Sequence, residues 1–268
     1  MKNSNYYTLI TGGSEGIGYE LARQFAQHGH NLILVARDEL QLETAGNSLQ
    51  SFDVDILTIS KDLFNHEAAF ELYNEVKSMD LTVDVLVNNA GQGIYGLFED
   101  TDIRRELAIV QLNISSLIIL TKMFLKDMLE RRDGKIMNVS SIASKAPGPW
   151  QSVYHGTKAF VQSFTEAVRS EVKDQGITIT ALLPGATDTD FFNKAGMQAS
   201  KAVQDKDKLD DPAKVAKDGY EALMSGDDKV ISGIKNKAAV AMSNIMTDSK
   251  AADMMKKKQE PVTKTKKQ

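Results

Sequence analysis

Tyr154 and Lys158 stand four residues apart, and Ser141 lies thirteen residues before the tyrosine, at the end of the apolar run Lys135 to Ser140. A phenol, an ammonium and a hydroxyl held together form an acid able to protonate a carbonyl oxygen. Free tyrosine titrates near ~10, too high for ready proton exchange at neutrality, and lowering it by ~3 units takes ~4 kcal/mol of differential interaction. A partly desolvated lysine one helical turn away on the same face can supply this, so the spacing predicts that Lys158 depresses the pKa of Tyr154. Ser140 and Ser141 compete for the hydroxyl role, because successive strand side chains face opposite ways. His155 points ~100° around the helix from Tyr154 and is set aside as an acid or base. His28, His30 and His66 show no ligand spacing, so no metal site is expected.

A second feature lies near the start of the chain. Thr11-Gly12-Gly13-Ser14-Glu15-Gly16-Ile17-Gly18 follows the apolar stretch Tyr6 to Ile10 and precedes an amphipathic helix. At such a turn, unpaired backbone N–H groups and the positive end of the helix attract an anion, and Gly12, Gly16 and Gly18 let a phosphate approach the backbone. Gly18 is followed by Tyr19 and Glu20, so this is not a mononucleotide P-loop ending. A dinucleotide fits better. After the second strand the chain reads Ala36-Arg37-Asp38, where a carboxylate at the first place would favour NAD. Arg37 offers a planar cation for the extra phosphate of NADP, which sets NADP as the expected cofactor. The competing reading has Arg37 pairing with Asp38 or Glu39 on the surface.

These groups need a scaffold that brings them to one place. Short aliphatic runs at 6–10, 32–36, 54–59, 84–88, 135–140, 177–183 and 229–232 alternate with helical patterns at 16–28, 39–50, 65–78, 102–131, 152–174 and 212–224. That alternation predicts an α/β fold: a Rossmann-type, doubly wound, parallel seven-stranded sheet with helices on both faces, in a single domain over 1–234. Residues 190–211 lack a clear strand and read as a mobile lid. An extension over 235–268 follows, with an amphipathic helix from Lys235 to Met246 that either covers the pocket, joins a subunit contact or simply packs on the domain. The last nineteen residues carry seven lysines and are expected to form a solvated, frayed tail.

Composition narrows the function classes. Of the residues 42% are apolar and 25% charged, as in an ordinary globular protein. The net charge of −4 opposes nucleic-acid binding. The chain has no cysteine, which excludes disulfides and thiolate chemistry and suits a reducing compartment. No run of ~18 apolar residues and no signal-peptide core are read, so no stable membrane insertion and a cytoplasmic location are expected.

Taken together, these pieces resemble the short-chain dehydrogenases/reductases, in order over roughly residues 6 to 190. The matching positions are Thr11 to Gly18, Asn88-Asn89-Ala90-Gly91, Asn113, Ser141, Tyr154 with Lys158, and Pro184-Gly185 followed by Thr187 and Thr189. The resemblance implies Tyr154 as proton donor, Ser141 rather than Ser140 as the hydroxyl that orients the carbonyl, and Lys158 on the nicotinamide ribose. It implies that Asn113 sits at a helix kink in a proton relay. Asp62, followed by Leu63, would bond the adenine, while Asn89 with Ala90 and Gly91 would support the sheet and ribose. Pro184 and Gly185 would wall the nicotinamide, and Thr187 and Thr189 would reach its carboxamide. Glu15 stands where many NADP-preferring relatives have a basic residue, which moves phosphate recognition to Arg37 and Ser14. The expected activity is NADPH-dependent reduction of a carbonyl to a secondary alcohol, with a catalytically silent NAD(P)-binding sensor or scaffold as the alternative. A lyase or epimerase is a further rival, opposed by the glycine spacing. The resemblance also implies a homodimer or homotetramer paired through the helices at 102–131 and 152–174. Trp150, Phe191 and Phe192 suggest an apolar or aromatic-tolerant substrate pocket.

Overall fold

A computed structural model describes residues 5–262. Seven parallel strands, β1 (Tyr6–Thr11), β2 (Asn31–Ala36), β3 (Ile56–Ser60), β4 (Thr82–Asn88), β5 (Gly134–Val139), β6 (Ile177–Leu183) and β7 (Lys229–Ile231), form one sheet in the order β3-β2-β1-β4-β5-β6-β7. The period of two along each strand builds a separate core on each face. Leu9, Ile33, Leu86 and Ile136 face one side, where they pack with Leu72 of α3 (Ala68–Ser78) and Phe124 of α5 (Ser116–Arg131). Their neighbours Ile10, Leu34, Val87 and Met137 face the other, against Leu21 and Phe25 of α1 (Gly16–Gln27) and Leu223 of α8 (Pro212–Ser225). The helix α2 (Glu39–Leu49) completes this second layer through Leu42 and Leu49.

Strand order turns around between β1 and β4, and ligands of open parallel sheets bind at the carboxyl ends beside such a switch. Asn88 closes β4 there and begins a fully buried polar chain. Its Nδ2 donates to Thr121 Oγ1 and to Asn138 Oδ1, both at 2.9 Å, Asn138 Nδ2 donates to Thr165 Oγ1 at 3.0 Å, and Thr165 Oγ1 donates to Val161 O at 2.6 Å. The chain ties β4 and β5 to α5 and to α6 (Ser152–Val172) directly beneath the candidate site.

The strand readings hold to within about two residues, and four expectations change. The helix expected from 65 starts at Ala68, because Asp62 and Asn65 side chains accept from Phe64 N and Glu67 N and fold the approach into turns. The helix expected over 102–131 is α4 (Ile103–Val110), a π segment (Gln111–Ser115) and α5 in one rod. By length and composition that rod could cross a membrane, contrary to the sequence reading, but Leu112, Leu120, Phe124 and Met128 are consumed by the core. Residues 190–211 are a cover of short turns: α7 (Phe191–Lys194) and three 3₁₀ pieces, joined to the body by the bridge Thr187 to Asp210.

The frayed-tail expectation fails for the part that is described. α9 (Ile234–Asn244) is followed by α10 (Asp248–Gln259), in which Ala251 and Gln259 are buried. Lys201 N donates to Glu260 O, Val262 N donates to Ala199 O, and Lys201 pairs with the Glu260 side chain, so the chain after α10 is fastened to the cover. Lys264, Lys266 and Lys267 lie outside the described residues.

Because Asn138 bonds both neighbours of the buried polar chain, its replacement orphans groups that water cannot reach. Asn138→Leu is expected to lower stability by about 2–4 kcal/mol. In urea the midpoint should fall with the slope unchanged; a midpoint equal to that of the wild type rejects the role.

Candidate active site

The glycine turn is held from two sides. Gly12 N and Gly13 N donate to Val35 O at 2.7 and 3.3 Å, and Asn89 Nδ2 donates to Thr11 O at 2.9 Å and Gly12 O at 3.0 Å. Thr11 Oγ1 accepts from Asn89 N and Ala90 N, each at 3.1 Å. Gly12 and Gly16 have φ of +65° and +55°, and a Cβ on Gly18 would collide with the Gly12 carbonyl, so this path requires glycine. α1 opens with no side-chain cap and no acid in its first turn, which leaves its N–H groups and positive end directed into the cleft.

The end of β2 carries the charged groups nearest the mouth of the cleft. Asp38 is spent as the cap of α2, accepting from Gln41 N at 3.0 Å. Among the described residues Arg37 forms no ion pair, and its guanidinium lies 5.8 Å from the Phe64 ring centre at the mouth of the cleft, with Ser14, Asp62 and Leu63 also on the wall. Glu15 pairs with Lys194 of α7, which neutralises the acid that the sequence reading marked as a departure.

At the far end, β5 delivers the serines. Ser140 Oγ donates to Lys158 O at 2.9 Å and is turned toward α6. Ser141 Oγ accepts from Ala143 N at 3.1 Å and donates to Pro184 O at 3.4 Å, and both serines line the cleft. Tyr154 and Lys158 share a face of α6, with Lys158 Nζ 5.9 Å from the tyrosine ring centre. Asn113 sits in the π segment behind Gly91. Its Oδ1 accepts from Gln92 N at 3.0 Å, and its Nδ2 donates to Gln92 O at 2.9 Å and to Thr157 Oγ1 at 3.0 Å. Pro184, Gly185, Thr187 and Thr189 form the opposite wall, and Thr187 Oγ1 donates to Gly185 O. One cleft of about 650 Å³ joins the glycine turn to Tyr154 and takes in every expected site residue except Asn113. Its uncapped helix end, free arginine and length fit a dinucleotide.

The electrostatics correct one expectation. Tyr154 is only half-buried by surface, yet protein walls surround it and desolvation pushes its pKa up to about 12, with the Ser141 hydrogen bond pulling the other way. Burial likewise lowers Lys158 to about 8. In the protein alone the lysine does not depress the phenol, because desolvation outweighs its charge and the ammonium donates to Val139 O at 2.8 Å. Sequence reasoning also missed Gln92 and Thr157, which clamp Asn113, and Met254, Met255 and Gln259 of α10, which line the cleft.

The short chain dehydrogenase family model matches residues 7–200. The chain belongs to that family. The chain spans less than two thirds of the length of several of its curated relatives. It is 32% identical over 186 residues to the very-long-chain 3-oxoacyl-CoA reductase of Rattus norvegicus, a match covering 66% of this chain and 58% of that protein. It is 28% identical over 236 residues to the ketoacyl reductase HetN of Nostoc sp., covering 88% of this chain and 77% of the relative. In structure it resembles a short-chain dehydrogenase from Sphingobium yanoikuyae in complex with NADPH, with a TM-score of 0.79 at 25% identity, covering 92% of this chain and 99% of that one.

The shifted lysine makes the stability of this protein pH-dependent. Unfolded, Lys158 holds its proton up to its model value of 10.5, whereas folded it releases it from about 8, so the unfolded chain binds more protons in between. Stability from this group therefore rises with pH across that window. Tyr154, raised from 10.0 to about 12, acts with the opposite sign above it, as the folded state then holds the extra proton. Urea titrations of the wild type and Lys158→Met should converge as pH rises from about 8; parallel curves reject the assignment.

Proposed function

We propose that this protein is an NADPH-dependent reductase of bulky, apolar ketones. The observation that supports it is the placement of Ser141, Tyr154 and Lys158 on one wall of a cleft whose other end is an uncapped helix N-terminus beside Arg37. The NADPH bound to the Sphingobium yanoikuyae relative supports the same cofactor. The glycine turn and α1 N–H groups would hold its pyrophosphate, and Arg37 with Ser14 its extra phosphate. When bound, the cofactor supplies a hydride to the carbonyl carbon. Ser141 and Tyr154 bond the carbonyl oxygen, and Tyr154 releases its proton there as negative charge develops. Lys158 holds a positive charge beside the resulting phenolate, and Asn113, fixed by Gln92 and Thr157, borders the route by which the proton is restored. Met197, Val203, Val240 and Met242 give the substrate side an apolar, adaptable wall. The names of the rat and Nostoc relatives, both reductases of acyl ketones, agree with that wall.

Purified protein with NADPH and a ketone panel tests this through loss of NADPH absorbance. Tyr154→Phe should lower turnover by ~10²–10⁴-fold with NADPH binding kept, and Arg37→Ala should weaken NADPH about tenfold without changing NADH. NADPH bound by the wild type but consumed with no ketone would favour the sensor alternative.

The reading includes a homodimer or homotetramer. Ile103 and Leu107 of α4 and Phe160 of α6 are exposed on the two long helices, an apolar face suited to a second copy. Sedimentation should give at least twice the chain mass, reduced to one chain in Leu107→Glu/Phe160→Glu; a monomeric wild type rejects it.

A further inference from the structure

The C-terminal helices carry a charge opposite to that of the whole protein. Residues 234–262 hold six lysines against three acids, in a chain whose net charge is −4. Of those acids, Asp248 lies in the first turn of α10, where it favours the helix start, and Glu260 pairs with Lys201. Lys235, Lys237, Lys250, Lys256, Lys257 and Lys258 are all exposed, and among the described residues none of them forms an ion pair. Asp205 lies within the field of Lys235 but is paired with Lys208. The excess positive charge therefore faces solvent.

Apolar side chains stand among these cations. α9 is pinned along one side, where Val240 is buried, Ser243 Oγ donates to Lys145 O at 2.7 Å and Asn236 Nδ2 donates to Asp210 Oδ2 at 2.6 Å. The helical period puts Ile234, Ala238, Ala241, Met242 and the C-cap Ile245 on the other side, within an arc of about 100°. All five are exposed, Ile234 at 84% and Ile245 at 86%. By the same period Lys235 falls at one edge of the stripe and Lys237 at the other. On α10 the exposed Met254 stands one turn from both Lys250 and Lys257. Isoleucines left in water forgo the free energy of burial, so the stripe favours a cover.

Charge decides which cover fits. A second copy meeting this face about a twofold axis would set lysines against lysines. A nucleic acid would engage the cations and leave the isoleucines without a role. An anionic bilayer suits both, because its headgroups take the ammonium ions and its acyl boundary takes the apolar stripe. We propose that α9 and α10 form a docking surface for an anionic phospholipid membrane, with Ile234 and Ile245 entering the interface and the lysines resting on the headgroups. The contact is peripheral, since α9, with 11 residues, is far too short to span a bilayer. Met242 and Met254 also line the cleft, so the docking surface borders it. The surface is independent of the reaction performed in the cleft.

Vesicle flotation of the full chain tests this, comparing phosphatidylcholine alone with phosphatidylcholine containing about 30% phosphatidylglycerol. The wild type should bind the anionic vesicles about tenfold or more tighter than the neutral ones, and added salt should weaken that binding. Lys235→Gln/Lys237→Gln and, separately, Ile234→Glu/Ile245→Glu should each weaken it about tenfold or more. Because the replaced side chains are exposed, urea midpoints should match the wild type and show that both variants are folded. A wild type that does not float, or a lysine variant that floats as the wild type does, overturns the proposal. An isoleucine variant with undiminished binding shows that charge alone is read, as it would be by any polyanion, and overturns it too. An isoleucine variant that sediments at lower mass than the wild type without lipid assigns the stripe to a second copy instead.

Discussion

The carboxamide of Asn89 joins the two strands between which the sheet changes direction. By donating to Thr11 O and Gly12 O it fixes the end of β1 against the end of β4. Everything chemical in the cleft is measured from that seam. On one side the glycine turn opens onto the first turn of α1; on the other, Gly91 leaves room for Lys158 Nζ and Asn113 Oδ1, each 3.3 Å from where a Cβ would stand. Thr11 completes the seam by accepting two backbone N–H groups from the β4 side. These are short bonds between neutral groups, buried enough to hold firm and too weakly polar to compete with a phosphate.

From the seam outward, several polar groups are tied to partners within the protein. Asp38 is absorbed by a helix cap, Glu15 by Lys194, and Ser140 by a backbone carbonyl. Arg37 stays available at the mouth, and Tyr154 stays protonated by desolvation. A phenol that keeps its proton until a substrate and cofactor change its surroundings is a reserve of acid, released only when negative charge appears beside it.

Much of this was legible in the chain because it depends on local rules. The two faces of the sheet follow from alternation within runs such as Leu32 to Val35, and the turn after β1 follows from glycines whose φ is positive or whose Cβ would collide. The Tyr154 and Lys158 pairing follows from helical spacing. Other parts depend on partners far along the chain and leave no local trace. α10 reads as a lysine-rich tail because only Ala251 and Gln259 are buried, and Gln259 is held by Tyr95, Gln151 and His155, more than one hundred residues away. The pKa of Tyr154 was misread for a related reason: spacing reports the neighbouring charge, whereas burial is a property of the whole fold and here is the larger effect.

The π segment at Gln111–Ser115 has an effect beyond the asparagine it carries. Adding one residue to a turn advances everything beyond it by roughly 100° about the axis. A single continuous rod can therefore present unlike sides at its two ends. The α5 half lays Leu120, Phe124 and Met128 against the sheet, while the α4 half directs Ile103 and Leu107 outward. An angular offset inside one helix thus separates the surface that stabilises the monomer from the surface left free for company, with the cleft's asparagine at the joint.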